Sequence, residues 1–442
     1  MKKFILALIV ITVILCGCGK VTEDGTQTVG NSGTTNGNVS EQLPEPSSND
    51  ELYTLLIDSL KSGNFDGLYQ FAGDNIKVLM TEDDFAYMLS SLYNIGGGLV
   101  TDEHTVSVGD NGDTYTAALT FNNMTADLTV VINNVKIDVF VRNIYFDNTF
   151  ELTHDGITER YFVFENDGFK LNAVYTYASS GETGTAVLLI SGSGPSDYNE
   201  TVGILTPFED IARALAEQGI SSLRFDKRTL NYASEFTAKA GHDEEYFSDC
   251  NAAIEYLMGQ EGVTEVSLLG HSLGGQIAAK LAEERDDVAS MVLLNSSSRH
   301  LADILADQYT ALDPANKATY LAYADSAKNA SAGSLLGQYY YGVSDYYWAS
   351  YNLLDTVESV KSSGIPTLII NSRADQQSFD EDIKLWEDAL GDSENVTIYI
   401  DREISHFGYV FDGDAASEIY HLHDMPGLLT DMIGEFLADG SK

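Results

Sequence analysis

The stretch EVSLLGHSLGGQIAAKLAEE, residues 265–284, reads as a buried strand that turns directly into a helix. Its first six residues are short and mostly apolar, and from Gln276 onward apolar residues recur at helical spacing. Between the two lies Gly270-His271-Ser272-Leu273-Gly274-Gly275, with glycine flanking the serine on both sides. Glycines there allow a tight strand-to-helix turn that pushes the Ser272 hydroxyl into the open. The backbone N–H of Leu273, in the first turn of the helix, is then a candidate donor to an oxyanion.

Working outward, strands alternate with helices from about residue 151 to the C-terminus. YFVFEN, KLNAVYTY, TAVLLISG, SSLRFD, EVSLLG, ASMVLLN, PTLIIN and NVTIYI read as strands. Runs such as AVLLI and MVLLN suit strands buried on both faces, which implies a mostly parallel sheet covered by helices. A helical, Tyr-rich stretch at about 300–360 interrupts the rhythm and is expected to form an inserted cap. Its aromatic cluster, from Tyr339-Tyr340-Tyr341 to Tyr346-Tyr347-Trp348 and Tyr351, is expected mainly to pack the cap, with some rings lining a pocket.

A serine hydroxyl needs a base to take its proton and an acid to orient that base. In a fold of this type the chain order is nucleophile, acid, base. PTLIINSRADQQ ends a strand and places Asp375 in the next turn, and NVTIYIDREISHFGY ends the following strand and delivers His406. Asp380 and Glu403 are alternative acids, while His421 and His423 are alternative bases that precede the last helix. His421, His423 and Asp424 form too loose a set to predict a metal site. A second oxyanion donor is expected in Ser191-Gly192-Ser193-Gly194-Pro195, after an early strand, from the N–H of Ser193 or alternatively Gly194. Arg224, Asp226 and Arg228 read as an ion-pair network beside that loop. Cys250 sits on a helical pattern, where a small buried hydrophobe is the usual role.

Residues 50–148 read differently, as helices (ELYTLLIDSLKSG, DDFAYMLSSLYNI) followed by alternating strands (TYTAALTF, ADLTVVINN, KIDVFVRNIYF), which makes a small α+β domain. His104 there and His154 just beyond it are isolated and expected to be solvated. Upstream, residues 1–17 carry Lys2, Lys3 and an apolar run shorter than the roughly 20 residues of a membrane span. Leu15-Cys16-Gly17-Cys18 resembles a bacterial lipobox, which implies a lipoprotein signal peptide with Cys18 as the acylated first mature residue. Residues 18–49, rich in Gly, Ser, Thr and Asn, then form a flexible stalk. The expected location is the outer side of the cell membrane.

The chain has 442 residues, with 24 Lys and Arg against 67 Asp and Glu, a formal charge of −43. Such an acidic excess repels nucleic acid, which is not an expected partner.

LLISGSGPSDYNE, LRFDKR, SLLGHSLGG, IPTLIINSRADQQ and ISHFG occur in the order found in secreted, esterase-like bacterial serine hydrolases of the α/β-hydrolase superfamily, which residues 151–442 resemble. SLKSGNFDGLYQFAGDNIKVLMTEDDF resembles the NTF2-like accessory domain that precedes some of these enzymes. The resemblance implies Ser272 as nucleophile, Asp375 as acid, His406 as base, a small-molecule carboxylic ester as substrate, and no cofactor. Three positions depart from the pattern: Ser191 replaces a common histidine, Thr229 a glycine after Lys227-Arg228, and Ser372 a glycine before the acid. The first of these bears on how the oxyanion loop is supported. An acylaminopeptidase or prolyl-peptidase-like activity and a non-catalytic surface binding protein are the alternatives.

Overall fold

In the computed structural model the described residues are 43–79, 81–109, 112–181, 184–236, 240–333, 337–410, 418–419 and 422–439. The expected signal peptide, Cys18, most of the expected stalk and His421 lie outside them.

The helix Asn49–Ser62 starts where the Ser48 side chain accepts the Glu51 N–H, and it buries Leu52, Tyr53, Leu56, Ile57 and Leu60 on one face. With the helix Glu82–Gly96 it packs against an antiparallel meander of β1 (Leu99–Gly109), β2 (Gly112–Phe121), β3 (Met124–Ile132) and β4 (Ile137–Phe146). Strict alternation in β2 and β3 sends Tyr115, Ala117, Leu119, Leu128 and Val130 into the core.

The second sheet has nine strands. It contains β5 (Phe150–His154), β6 (Ile157–Asn166), β7 (Phe169–Ala178), β8 (Thr185–Ile190), β9 (Ser221–Phe225), β10 (Glu265–His271) and β11 (Val288–Leu294). A two-stranded hairpin, β12 (Tyr339–Tyr340) with β13 (Val343–Ser344), precedes its last members, β14 (Thr367–Ser372) and β15 (Val396–Asp401). The order is β15-β14-β11-β10-β8-β9-β7-β6-β5. Pairings from β15 to β9 are parallel, and β7, β6 and β5 join as an antiparallel edge. Along β8, Ala186, Leu188 and Ile190 face one helical layer, with Ile254, Leu257 and Ile277. Val187 and Leu189 face the other, with Phe208, Leu215 and Ile433. Burial on both faces explains why these strands lack polar alternation.

The two sheets share a core. Tyr161, Val174, Tyr198 and Ile204 of the large sheet and its loops pack among the N-terminal helices and meander. Asn172 on β7 accepts the N–H of Phe146 at 2.8 Å and donates to the carbonyl of Ile144 at 2.8 Å, pinning the end of β4 to the nine-stranded sheet.

Between β11 and β14 run the helices Leu301–Leu312, Lys317–Lys328 and Asp345–Tyr351 with the small hairpin. Trp348 and Tyr351 are buried in the main core. The next helix, Thr356–Ser363, belongs to the layer covering the sheet: Ser359 donates to Glu283 on the helix Leu273–Glu284 at 2.7 Å.

Candidate active site

The chain passes from β8 to β9 on one side and then back to β10 on the other, so the strand order reverses at β8. Ligands of open α/β sheets bind outside the carboxyl ends of the strands at such a point. The loops after β8 and β10 both emerge there, which brings residues 191–195 beside Ser272.

Ser272 takes φ 52° and ψ −121°, a backbone conformation that L side chains rarely adopt. Three glycines make the turn possible. A Cβ on Gly274 would stand 2.1 Å from the Ile190 carbonyl oxygen, one on Gly270 2.2 Å from that of Gly274, and one on Gly275 2.5 Å from the Ser296 hydroxyl. The helix therefore begins pressed against the ends of its neighbouring strands. The Ser272 N–H donates to the Leu294 carbonyl at 2.9 Å, which anchors the strained residue to β11.

Asp375 lies in the turn after β14. It accepts the Gln377 N–H at 2.7 Å, the Ser378 N–H at 3.1 Å and the Ser378 hydroxyl at 2.6 Å. Its other contact is His406, whose Nδ1 stands 2.7 Å from Asp375 Oδ2. Burial pushes the Asp375 carboxyl up, but His406 and these donors outweigh burial and hold it below the usual aspartate value. A buried carboxylate on Nδ1 fixes that nitrogen as the protonated one and leaves Nε2 as the basic position.

The loop carrying His406 is shaped by Asp401, whose Oδ1 accepts the N–H groups of Arg402, Glu403 and Ile404. Asn295, at the end of β11, donates to the carbonyls of both Ser405 and His406 at 2.9 Å. His271 Nε2 stands 2.8 Å from the same His406 carbonyl, and the His271 and His406 rings are 4.8 Å apart. His406 is thus brought against the nucleophile turn through its backbone. No hydrogen bond joins its ring directly to the Ser272 hydroxyl in this arrangement; in unliganded sites this bond is often long and tightens with substrate.

Gly192, in the loop after β8, packs against Ser272: a Cβ on it would lie 3.1 Å from the Ser272 Cβ. The Gly192 N–H donates to Glu200 Oε1 at 2.6 Å, so it is already used. Ser193 is exposed beside it and Leu273 is buried at the start of the helix. Ser191 is buried where the common histidine was expected, and support for this loop comes instead from Glu200 and Lys227.

The rival residues lie elsewhere. Asp380 is exposed and paired with Arg373, and Glu403 is exposed. His423 lies beside Tyr409, and among the described residues no group of His, Cys, Asp and Glu could hold a metal ion. Cys250 is buried, and burial pushes its thiol up, away from reactivity. Arg224 is fully buried and bonds Glu159, Thr176 and Asn199, while Arg228 bonds Asp249 and Asp167. The two arginines are structural pairs, as the sequence suggested, but Asp226 does not belong to the expected ion-pair network: it accepts the Tyr198 N–H at 2.9 Å and the Asn231 amide at 3.1 Å, because each arginine finds its carboxylate elsewhere. Lys227, Tyr246, Glu200, His271 and Asn295 escaped the sequence reading; for Glu200 and His271 the only signal is their place within the two motif loops.

A cleft of about 580 Å³ opens at the junction of the two folded regions, lined by Tyr87, Asn94, His154, Tyr198, Arg213 and the Pro195–Asp197 segment among others. Ser272, Asp375 and His406 are absent from its walls, as are the cap's aromatic residues, so the cleft lies apart from the candidate triad and does not bear on which rings line a pocket there. His154, expected to be merely solvated, stands on its wall.

The doubly covered sheet, the reversal at β8 and the serine turn after β10 decide the architecture. The fold is an α/β-hydrolase fold. Residues 198–315 match the family model described as serine aminopeptidase, S33, a span that holds Ser272 and stops short of Asp375 and His406. The chain is 29% identical over 225 residues to Esterase EstD of Thermotoga maritima, which is 50% of this chain and 54% of that protein. It thus spans about half the length of the curated relative it matches. Among solved structures, Est1E from Butyrivibrio proteoclasticus aligns with 63% of this chain and 98% of its own, at TM-score 0.44 and 16% identity. The esterase domain of a Rhodothermus marinus protein aligns with 64% and 98%, at TM-score 0.42 and 17% identity.

Proposed function

We propose that this α/β-hydrolase is a serine hydrolase that cleaves small-molecule carboxylic esters through an acyl-enzyme. The observation that carries the reading is the buried 2.7 Å contact between His406 and Asp375, on a loop whose backbone is tied to His271, the residue before Ser272. In this mechanism Ser272 Oγ attacks the ester carbonyl carbon while His406 Nε2 takes its proton. The N–H groups of Leu273 and Ser193 receive the oxyanion, and the alcohol leaves with the proton from His406. Water, activated by His406, then attacks the acyl carbonyl and releases the acid. Asp375 keeps its charge throughout and stabilises the imidazolium. No step calls for a metal or organic cofactor.

The likeness to an esterase supports ester substrates; the family model's description as serine aminopeptidase favours, as the second reading, an amide hydrolase using the same residues. Acylation at Cys18 would place the enzyme on the outer face of the membrane, with an NTF2-like region forming one wall of the junction cleft.

The test is labelling of the purified protein with a fluorophosphonate probe, mapped by peptide mass spectrometry, alongside rates on nitrophenyl esters and aminoacyl nitroanilides. Modification of Ser272 with faster ester than anilide turnover is expected. Labelling with anilide turnover alone would move the assignment to the amide hydrolase, and a folded protein that resists the probe would refute both.

A further inference from the structure

We propose that Lys227 is a positioning residue that aims the N–H of Ser193 at the oxyanion, an inference that rests on the acyl-transfer reading above. Lys227 follows β9 and is almost wholly buried. Its Nζ donates to the carbonyl of Gly192 at 3.0 Å and to that of Gly194 at 2.7 Å, two oxygens of the loop that packs on Ser272. The Tyr246 hydroxyl accepts from Lys227 Nζ at 2.5 Å and donates to the same Gly192 carbonyl at 2.5 Å, and the ammonium lies 4.0 Å from the centre of its ring.

The consequence follows from peptide geometry. The described chain has no cis peptide bonds, and in a trans peptide the C=O and N–H point in opposite directions. Holding the Gly192 oxygen inward, on Lys227 and Tyr246, turns the Ser193 N–H outward to the exposed side of the loop. The Gly194 oxygen is held too, but its peptide partner is the nitrogen of Pro195, which has no hydrogen to aim. The Gly194 N–H belongs to the Ser193–Gly194 peptide, whose oxygen Lys227 does not hold, so of the two candidate donors the clamp aims only Ser193.

The clamp is fixed on its other side as well. The Gly192 N–H is taken by Glu200, so the residue is held by both of its polar groups. Lys227 is neutralised by Glu245 at 2.9 Å. A buried ion pair of this kind is weak evidence for stability, because desolvation offsets the attraction. Here its contacts converge on the loop beside Ser272, which gives it a task besides stability.

The experiment compares wild type, Lys227→Met, Lys227→Arg and Tyr246→Phe on a short-chain nitrophenyl ester, with thermal melting to establish folding. Deleting an oxyanion donor outright lowers kcat by about 10²–10³-fold, so misaiming it should cost roughly 10–100-fold in Lys227→Met. KM should stay within about threefold, since the oxyanion exists only in the transition state. Lys227→Arg, which keeps a charged donor, should recover part of the loss, and a trifluoromethyl ketone should lose affinity in parallel with kcat. Tyr246→Phe removes one donor with little change of volume and decides the matter if Lys227→Met does not fold; a loss of about tenfold in kcat is expected. Folded variants with kcat within threefold of wild type, or with kcat intact and KM raised, would overturn the inference. A wild type that turns over no ester or anilide would instead refute the hydrolase reading, and the clamp would fall with it.

Discussion

His271 Nε2 and the carbonyl oxygen of His406 stand 2.8 Å apart, so the residue before Ser272 holds the loop that carries His406. A carbonyl only accepts, so Nε2 must carry the proton. Nδ1 stands 3.0 Å from Glu200 Oε1, too poorly aligned for a hydrogen bond but close enough for a charge contact. The His406 loop, the Ser272 turn and the loop after β8 are therefore tied through one buried imidazole.

That imidazole makes stability depend on pH. Burial pulls the His271 pKa down, but Glu200, the His406 carbonyl and the charge of Asp375 outweigh it and leave it above the ordinary histidine value. A raised folded-state value means that the contribution is complete below about pH 6.5 and is lost as pH rises through the folded value. Glu418, a buried carboxyl bonded to Ser405 and pushed up to about 7 by burial, acts in the same direction between its unfolded value and pH 7. Comparing melting temperatures of wild type and His271→Asn from pH 6 to 9 isolates the histidine. The wild type should fall more steeply; parallel curves would show that His271 is not charged in the fold.

Asp375→Asn should leave the fold intact and lower kcat by on the order of 10³–10⁴-fold, because an amide permits the wrong tautomer of His406. Ser272→Ala and His406→Ala should lose at least as much. Circular dichroism alongside ester hydrolysis checks this, and Asp380→Asn, on an exposed residue paired with Arg373, is the control expected to keep near-normal rates. Retained activity in Asp375→Asn would return the choice of acid to the alternatives.

Much of this was legible in the sequence because strand burial and turn chemistry are local. The parallel strands read correctly as unbroken apolar runs, and strand ends and chain order pointed to Asp375 and His406, which the fold brings within 2.7 Å of each other. β1 was missed because VTDEHTVSVG is an exposed edge strand that lacks the apolar alternation of its neighbours. β5 was missed because FELTH is short and mostly exposed. Glu200, Lys227 and Asn295 are functional candidates only through what they touch across 8, 35 and 111 residues of chain, respectively. No local pattern encodes such contacts. The cap's aromatic cluster was expected mainly to pack, and Trp348 and Tyr351 are buried in the main core; with no pairing rule for rings, the sequence had no means to say which of the others face a pocket.

The join between the two folded regions should contribute to stability. Replacing Asn172 with Ala would leave the Phe146 N–H and the Ile144 carbonyl without their partner in a buried setting, a loss of about 1–3 kcal/mol. Guanidinium unfolding measures it. Because Tyr161, Val174, Tyr198 and Ile204 belong to the N-terminal core, one cooperative transition is expected for wild type. Two separate transitions, with Asn172→Ala shifting neither, would show that the regions fold independently.

The Ser272 turn itself yields the last prediction. Ser272 sits at positive φ, where a non-glycine residue carries about 1–3 kcal/mol of strain. Glycine relieves that strain, while its freer unfolded chain costs only about 0.4–1 kcal/mol. The strain term is the larger, so Ser272→Gly should melt above Ser272→Ala, and both should be inactive. The comparison with alanine removes the hydroxyl from the balance, leaving backbone conformation as the difference. If Ser272→Ala proves equally or more stable, the turn is not strained in solution, and exposure of the hydroxyl would have to be maintained by the packing of Gly270, Gly274 and Gly275 alone.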